Sequence, residues 1–106
     1  MAEAEVLKAC LEYLQLNGFY CWRNNTGAVK VGARFIRYGF VGSSDILGIC
    51  PDGRFLAVEC KREKGGVLSE AQKTFLSEIE KRGGVALVCN GLKSLQEGLK
   101  NNSVYY

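Results

Sequence analysis

Apolar residues recur with the period of an α-helix in two segments of the chain. The first predicted helix runs from Ala4 to Leu16, and Asn17-Gly18 favours its end. The second follows Ser69, which opens a Ser-Glu-Ala-Gln capping box with Gln72, and it ends at Gly83-Gly84. The predicted buried faces are Val6, Leu7, Cys10, Leu11 and Leu14 in the first helix and Leu68, Ala71, Phe75, Leu76 and Ile79 in the second.

Extended segments precede and follow the second helix. Pro51-Asp52-Gly53 fits a three-residue hairpin loop, so the segments on either side of it form an antiparallel pair. The stretch Val29 to Phe40 is a weaker, strand-like segment, because it is basic and interrupted by glycines. Whether it forms a hairpin in the sheet or an arm that reaches toward a partner subunit stays open. The predicted strands cover residues 19–23, 29–40, 45–50, 55–61 and 85–89, and a third helix covers residues 92–99. The order αββββαβα predicts an α/β fold.

The register of the central hairpin can be counted from its loop. Counting outward from Pro51-Asp52-Gly53 pairs Leu47 with Ala57 and places Asp45 opposite Glu59. Two facing carboxylates destabilise a strand pair unless a cation bridges them or one of them takes a proton. A divalent metal ion would remove that cost.

A lysine and a backbone carbonyl complete this constellation. Lys61 lies two residues after Glu59 and therefore on the same face of the strand. The two carboxylates and the carbonyl of Cys60 are hard oxygen ligands of the type that suits Mg²⁺ or Mn²⁺. An ammonium group beside such a metal can orient an attacking water and offset negative charge on a phosphate. The set therefore suits phosphodiester hydrolysis.

Composition limits the number of domains, the classes of enzyme and the cellular location that the chain fits. A length of 106 residues with 47% apolar content predicts one domain, residues 1–106. The absence of histidine excludes Ser-His-Asp and Cys-His hydrolases and histidine zinc sites. The five cysteines, without any C-x-x-C, are predicted to be reduced core thiols, and Trp22 is predicted to lie in the core. No signal-peptide pattern and no long apolar run is present, so an intracellular, cytoplasmic protein without membrane association is expected.

Together these motifs resemble those of the PD-(D/E)xK nuclease superfamily, and more narrowly the stand-alone VRR-NUC domains of viruses and bacteria. The resemblance extends over nearly the whole chain, and it departs at Ser44, where the superfamily usually has proline. It implies a restriction-endonuclease-like fold with a central mixed sheet flanked by helices. The matching segments are Gly42-Ser43-Ser44-Asp45, Glu59-Cys60-Lys61, Arg23-Asn24-Asn25-Thr26-Gly27, Gln72-x-x-Phe75 and Glu5.

The resemblance also assigns roles to individual residues. It implies metal ligands at Glu5, Asp45, Glu59 and Cys60, the last through its carbonyl, and catalytic roles for Asp45, Glu59, Lys61 and Gln72. Two of these residues have simpler explanations that stay open. The capping box accounts for Gln72 without any site, and a first-turn acid such as Glu5 favours the helix dipole.

A nucleic-acid partner is expected from the same resemblance and from charge. Residues 20–65 contain eight Lys or Arg residues against four acids. Contacts with DNA phosphates are expected at Arg23, Asn24, Arg34 and Arg37, although the arginines also fit ordinary surface charges. The resemblance implies a homodimer acting on Holliday junctions, in the host cytoplasm if the source is a virus.

The sequence alone leaves two functions of different classes open. The first is a Mg²⁺- or Mn²⁺-dependent, structure-specific DNA endonuclease. The second is a non-catalytic nucleic-acid-binding module that retains the nuclease fold and binds in a salt-dependent manner without cutting. A third possibility is a restriction-like enzyme. It differs from the first function in its substrate, because it would cut linear duplex DNA at defined sequences.

Overall fold

Three helices and six strands make up the fold in the computed structural model, which describes all residues from Met1 to Tyr106. The helices are α1 (Glu3–Leu16), α2 (Glu70–Lys81) and α3 (Leu92–Asn101). The strands are β1 (Tyr20–Arg23), β2 (Gly27–Val31), β3 (Arg34–Tyr38), β4 (Ile46–Ile49), β5 (Phe55–Cys60) and β6 (Val85–Cys89). The order along the chain is α1-β1-β2-β3-β4-β5-α2-β6-α3.

A four-stranded mixed sheet with the order β1-β4-β5-β6 forms the centre of the fold. β4 is antiparallel to β1 and β5, whereas β6 runs parallel to β5. Leu47 pairs with Ala57, which confirms the predicted register of the β4–β5 hairpin. Its loop is fixed by hydrogen bonds from the Cys50 amide to the Arg54 carbonyl and from the Gly53 amide to the Cys50 carbonyl. Gly53 has φ of +94°, the left-handed conformation that a bulge at this position favours.

The basic stretch from Val29 to Phe40 is two strands, so the order αββββαβα, which counts it as one strand, was wrong here. β2 and β3 pair with each other and with no strand of the main sheet. Gly32, with φ of +63°, lies between them and reverses the chain. The glycines that made the segment look like a weak strand therefore mark the turn of a separate hairpin.

Helices flank the sheet on both faces. Leu56 and Val58 of β5 belong to the main core together with buried residues of α1 and α3. Glu59 points to the opposite face, because side chains alternate along a strand, and there it meets Gln72 of α2. β5 is thus covered on both sides, and Glu59 is brought into the interior.

The cysteines are buried as the sequence predicts, whereas Trp22 is not. All five cysteines are buried and unpaired, as predicted. Trp22 is 46% exposed and lies edge-to-face against Tyr20. The prediction of a core Trp22 was wrong because side chains alternate along β1, so Cys21 faces the core and Trp22 lies on the other face of this edge strand. None of the three helices combines the length and apolar character that crossing a membrane requires.

Candidate active site

Asp45 is held in place by backbone contacts just before β4. Its Oδ2 accepts a hydrogen bond from the Cys60 amide at 2.8 Å, which joins the aspartate to the end of β5. Its carbonyl accepts the Asn24 amide at 2.7 Å. Gly42 enters this segment with φ of +84°, and a Cβ there would lie 2.5 Å from the Ala71 carbonyl oxygen of α2. The approach to Asp45 therefore needs glycine at this position.

Glu59 is the buried acid of the site, with only 2% of its surface exposed. Burial, followed by the hydrogen bond and negative charge of Asp45, raises the pKa of Glu59 to about 8. Its Oε1 accepts a hydrogen bond from Gln72 Nε2 at 3.1 Å. Its Oε2 is buried and has no hydrogen-bond donor. Unpaired buried carboxylate oxygens are costly, so this atom is suited to accept a proton or a cation.

Gln72 connects the acid to the lysine. Lys61 Nζ donates to Gln72 Oε1 at 3.3 Å and lies 4.0 Å from Glu59 Oε1. The same Gln72 oxygen accepts the Ser69 amide at 2.9 Å, and Ser69 Oγ accepts the Gln72 amide. The predicted capping box is therefore formed, and the Gln72 side chain also touches both charged residues of the candidate site.

The third carboxylate of the site belongs to Glu3. Ligand oxygens of Glu3, Asp45 and Glu59 all lie within 4.8 Å of one another. Glu5 is not in this group, and its Oε1 instead accepts a hydrogen bond from the Ala2 amide. The reason is helical geometry, since residues two positions apart lie about 200° apart around an α-helix.

A sequence signal for Glu3 was available. The buried face of α1 contains Val6, Leu7, Cys10 and Leu14. Glu3 continues that spacing by one turn toward the N-terminus, whereas Glu5 does not. The periodicity that predicted the helix therefore also indicated which acid points toward the sheet.

The donor set fits a divalent cation. Three carboxylates converge, and one of them carries a buried oxygen without a donor. The three ligand oxygens lie within 4.8 Å of one another, a spacing from which side-chain rotation can bring them onto one cation. The Cys60 side chain is fully buried in the core, so its contribution to such a site is limited to the backbone carbonyl.

The expected DNA-contacting residues lie outside the carboxylate group. Arg23, Arg34 and Arg37 are exposed and form no ion pair within the chain. The Asn24 amide group is used internally, donating to Ser43 Oγ at 2.6 Å and to the Ser44 carbonyl at 3.0 Å. The arginines are thus available to a partner, while Asn24 fastens the segment that leads to Asp45.

Comparison with known protein families identifies the family to which the chain belongs. A family model described as the VRR-NUC domain matches residues 1–93. The chain belongs to the VRR-NUC family. No curated protein and no solved structure matches it. The matched part of this VRR-NUC domain includes all six strands and every residue of the candidate site, and membership implies a nuclease-type domain acting on DNA.

The two acids of α1 provide a test of the VRR-NUC site. Glu3→Gln is expected to weaken Mn²⁺ binding by roughly ten- to a hundredfold, because it removes one of three converging carboxylates. Glu5→Gln removes the same charge from the same helix and is expected to change binding less than about twofold. Isothermal titration with Mn²⁺ measures both variants. Equal weakening by the two substitutions would contradict the placement of Glu3 at the metal.

Proposed function

We propose that this VRR-NUC domain is a metal-dependent, structure-specific DNA endonuclease of the PD-(D/E)xK type, and that it resolves Holliday junctions as a homodimer. The observation that carries the proposal is the convergence of Glu3, Asp45 and Glu59. Lys61 is connected to this group through Gln72. An acid cluster with an adjacent, positioned ammonium group suits phosphodiester hydrolysis.

The three carboxylates and the Cys60 carbonyl would hold Mg²⁺ or Mn²⁺. When bound, such a cation supplies positive charge to the scissile phosphate and makes an attacking water easier to deprotonate. Glu59 must lose its proton before it can act as a ligand, because its pKa is raised to about 8. Binding of the cation is therefore expected to release a proton at neutral pH.

Lys61 is the proposed catalytic residue of the chain. Its side chain is only 15% exposed, so its ammonium group acts where water screens charge weakly. There it can hydrogen-bond the attacking water and stabilise negative charge that develops on the phosphate. Gln72 is a positioning residue, since it fixes Lys61 and Glu59 through one amide group.

Exposed cations and symmetry support the choice of branched DNA. Arg23, Arg34 and Arg37 are free to contact phosphates. A homodimer would present two sites related by a two-fold axis, which matches the symmetry of two opposed strands in a four-way junction. The resemblance to stand-alone VRR-NUC domains supports the same arrangement.

Incubation with labelled DNA tests the proposal. The protein is expected to cut a four-way junction in Mg²⁺ or Mn²⁺, to be inactive in EDTA, and to spare a linear duplex of matched sequence. Light scattering is expected to give twice the 11.7 kDa mass of one chain. Binding without cutting in either metal would favour a non-catalytic module, and equal cutting of both substrates would contradict structural specificity.

A further inference from the structure

The β2–β3 hairpin, called the arm below, has no partner within the chain. All ten of its strand residues are exposed, and neither strand pairs with the main sheet. Two-stranded hairpins are marginally stable in water unless something packs against them. The chain itself therefore supplies few stabilising contacts to the arm, and a partner molecule would have to supply the rest.

The base of the arm is attached to the candidate active site. Asn24, just before β2, is hydrogen-bonded to Ser43, Ser44 and the backbone of Asp45. After β3, Phe40 packs against Phe75 of α2 with ring centroids 5.9 Å apart. Five-residue strands extend about 16 Å, the length of about five base pairs of DNA. A DNA strand bound at the carboxylates would thus lie within reach of the arm.

Charge identifies the chemistry of the partner. Residues 24–44 contain Lys30, Arg34 and Arg37 and no acid. The whole chain has a net charge of +3, so the remaining residues sum to zero. None of the three cations forms an ion pair within the chain. The net positive charge of the protein therefore lies on the arm. This charge favours a polyanion such as DNA as the partner over a protein surface of little net charge.

The register of the arm places an aromatic ring among these cations. Phe35 pairs directly with Lys30, and Arg37 lies on the same face two residues further along β3. The Phe35 side chain is 73% exposed, although nothing in the fold requires a phenyl ring there. An exposed aromatic ring flanked by cations is typical of surfaces on which nucleobases stack. Bases inside a continuous duplex are already stacked, so a free base face is offered only where the helix is interrupted.

We propose that the arm lies along DNA beside the cleavage site, with Lys30 and Arg37 on phosphates and Phe35 stacked on a base face exposed at a branch point. The inference rests on the proposed nuclease function and makes Phe35 a residue that distinguishes branched from linear DNA. Val29, Val31, Ile36 and Tyr38 occupy the opposite face of the arm together with Arg34, and these four take no part in the contact of Phe35 with the base.

Binding in EDTA tests the proposal separately from cleavage. Phe35→Ala is expected to lower the affinity for a fork with one unpaired 2-aminopurine by about tenfold and to change duplex affinity less than about twofold. The 2-aminopurine quenching seen with the wild type is expected to be lost. Tyr105→Ala is the matched control, since Tyr105 is 80% exposed and lies at the other end of the chain. Phe35→Trp, which keeps a stacking surface, is expected to restore fork binding.

Two results would overturn the proposal. The first is no loss of affinity for fork or duplex in Phe35→Ala, and the second is an equal loss for both. If the equal loss comes with a smaller particle mass in light scattering, the arm is a contact between two copies. A wild type that binds forks through Phe35 and cuts nothing in any metal would disprove the nuclease function and leave the arm proposal standing.

Discussion

Lys61→Ala is expected to lower the single-turnover rate of junction cleavage by roughly a hundred- to a thousandfold. The Lys61 ammonium group lies 3.3 Å from Gln72 Oε1 and 4.0 Å from Glu59 Oε1, next to the three converging carboxylates. Its removal takes away a positive charge at the position where the phosphate gains negative charge. Binding to the junction is expected to persist, because the exposed arginines of the chain are unchanged.

Lys73→Ala is the matched control for this substitution. Lys73 also lies near the start of α2, where it forms an exposed pair with Glu70 at 3.3 Å. Exposed pairs of this kind contribute little to stability, so the variant should cleave within about twofold of the wild-type rate. Full activity in Lys61→Ala, measured with the same junction and metal, would remove Lys61 from the catalytic machinery.

The central hairpin shows what could be predicted from sequence and why. The loop Pro51-Asp52-Gly53 has the residues of one turn type, and turn type sets the strand register. The facing positions of Asp45 and Glu59 follow from that register, and the structure places their carboxylates together. Local chemistry thus fixed a contact between residues that are distant along the chain.

Glu3 and the arm show where sequence reasoning failed. The resemblance implied Glu5 as the acid of α1, although the spacing of the buried residues in that helix favours Glu3. The arm could not be distinguished from a hairpin of the main sheet, because its apolar and basic residues alternate as in a sheet strand. Whether such a strand joins the main sheet depends on tertiary pairing, which alternation alone does not report. Trp22 is exposed for a related reason, since tertiary packing decides whether the outer face of an edge strand is covered.

Glu59→Gln is expected to stabilise the metal-free protein at pH 8 and to remove most of the pH dependence that Glu59 causes. The folded protein raises the pKa of Glu59 from 4.5 to about 8, chiefly through burial. Between these values the folded state holds a proton that the unfolded state has lost. The stability from Glu59 is therefore fully present below about pH 4.5 and is lost as the pH rises through 8. The expected loss in the free energy of unfolding is about 3 kcal/mol between pH 5 and pH 8.

Urea denaturation in EDTA at pH 5 to 8 measures this difference between wild type and Glu59→Gln. Glu78→Gln is the control, because Arg82 lowers the pKa of Glu78 in the folded state and the ordinary glutamate pKa of 4.5 leaves it mostly ionised in the unfolded state over this range. It should leave the pH dependence unchanged. Parallel pH profiles for wild type and Glu59→Gln would show that Glu59 does not retain a proton in the folded protein.

The same proton links stability to metal binding. Mg²⁺ needs the ionised carboxylate, so its stabilisation of the wild type is expected to grow as the pH rises from 7 to 8. In Glu59→Gln the ligand is absent, and added Mg²⁺ is expected to have little effect at either pH. Glu59 would then favour the neutral, metal-free state at low pH and the metal-bound state at higher pH. A buried oxygen without a donor is what makes both states accessible to this side chain.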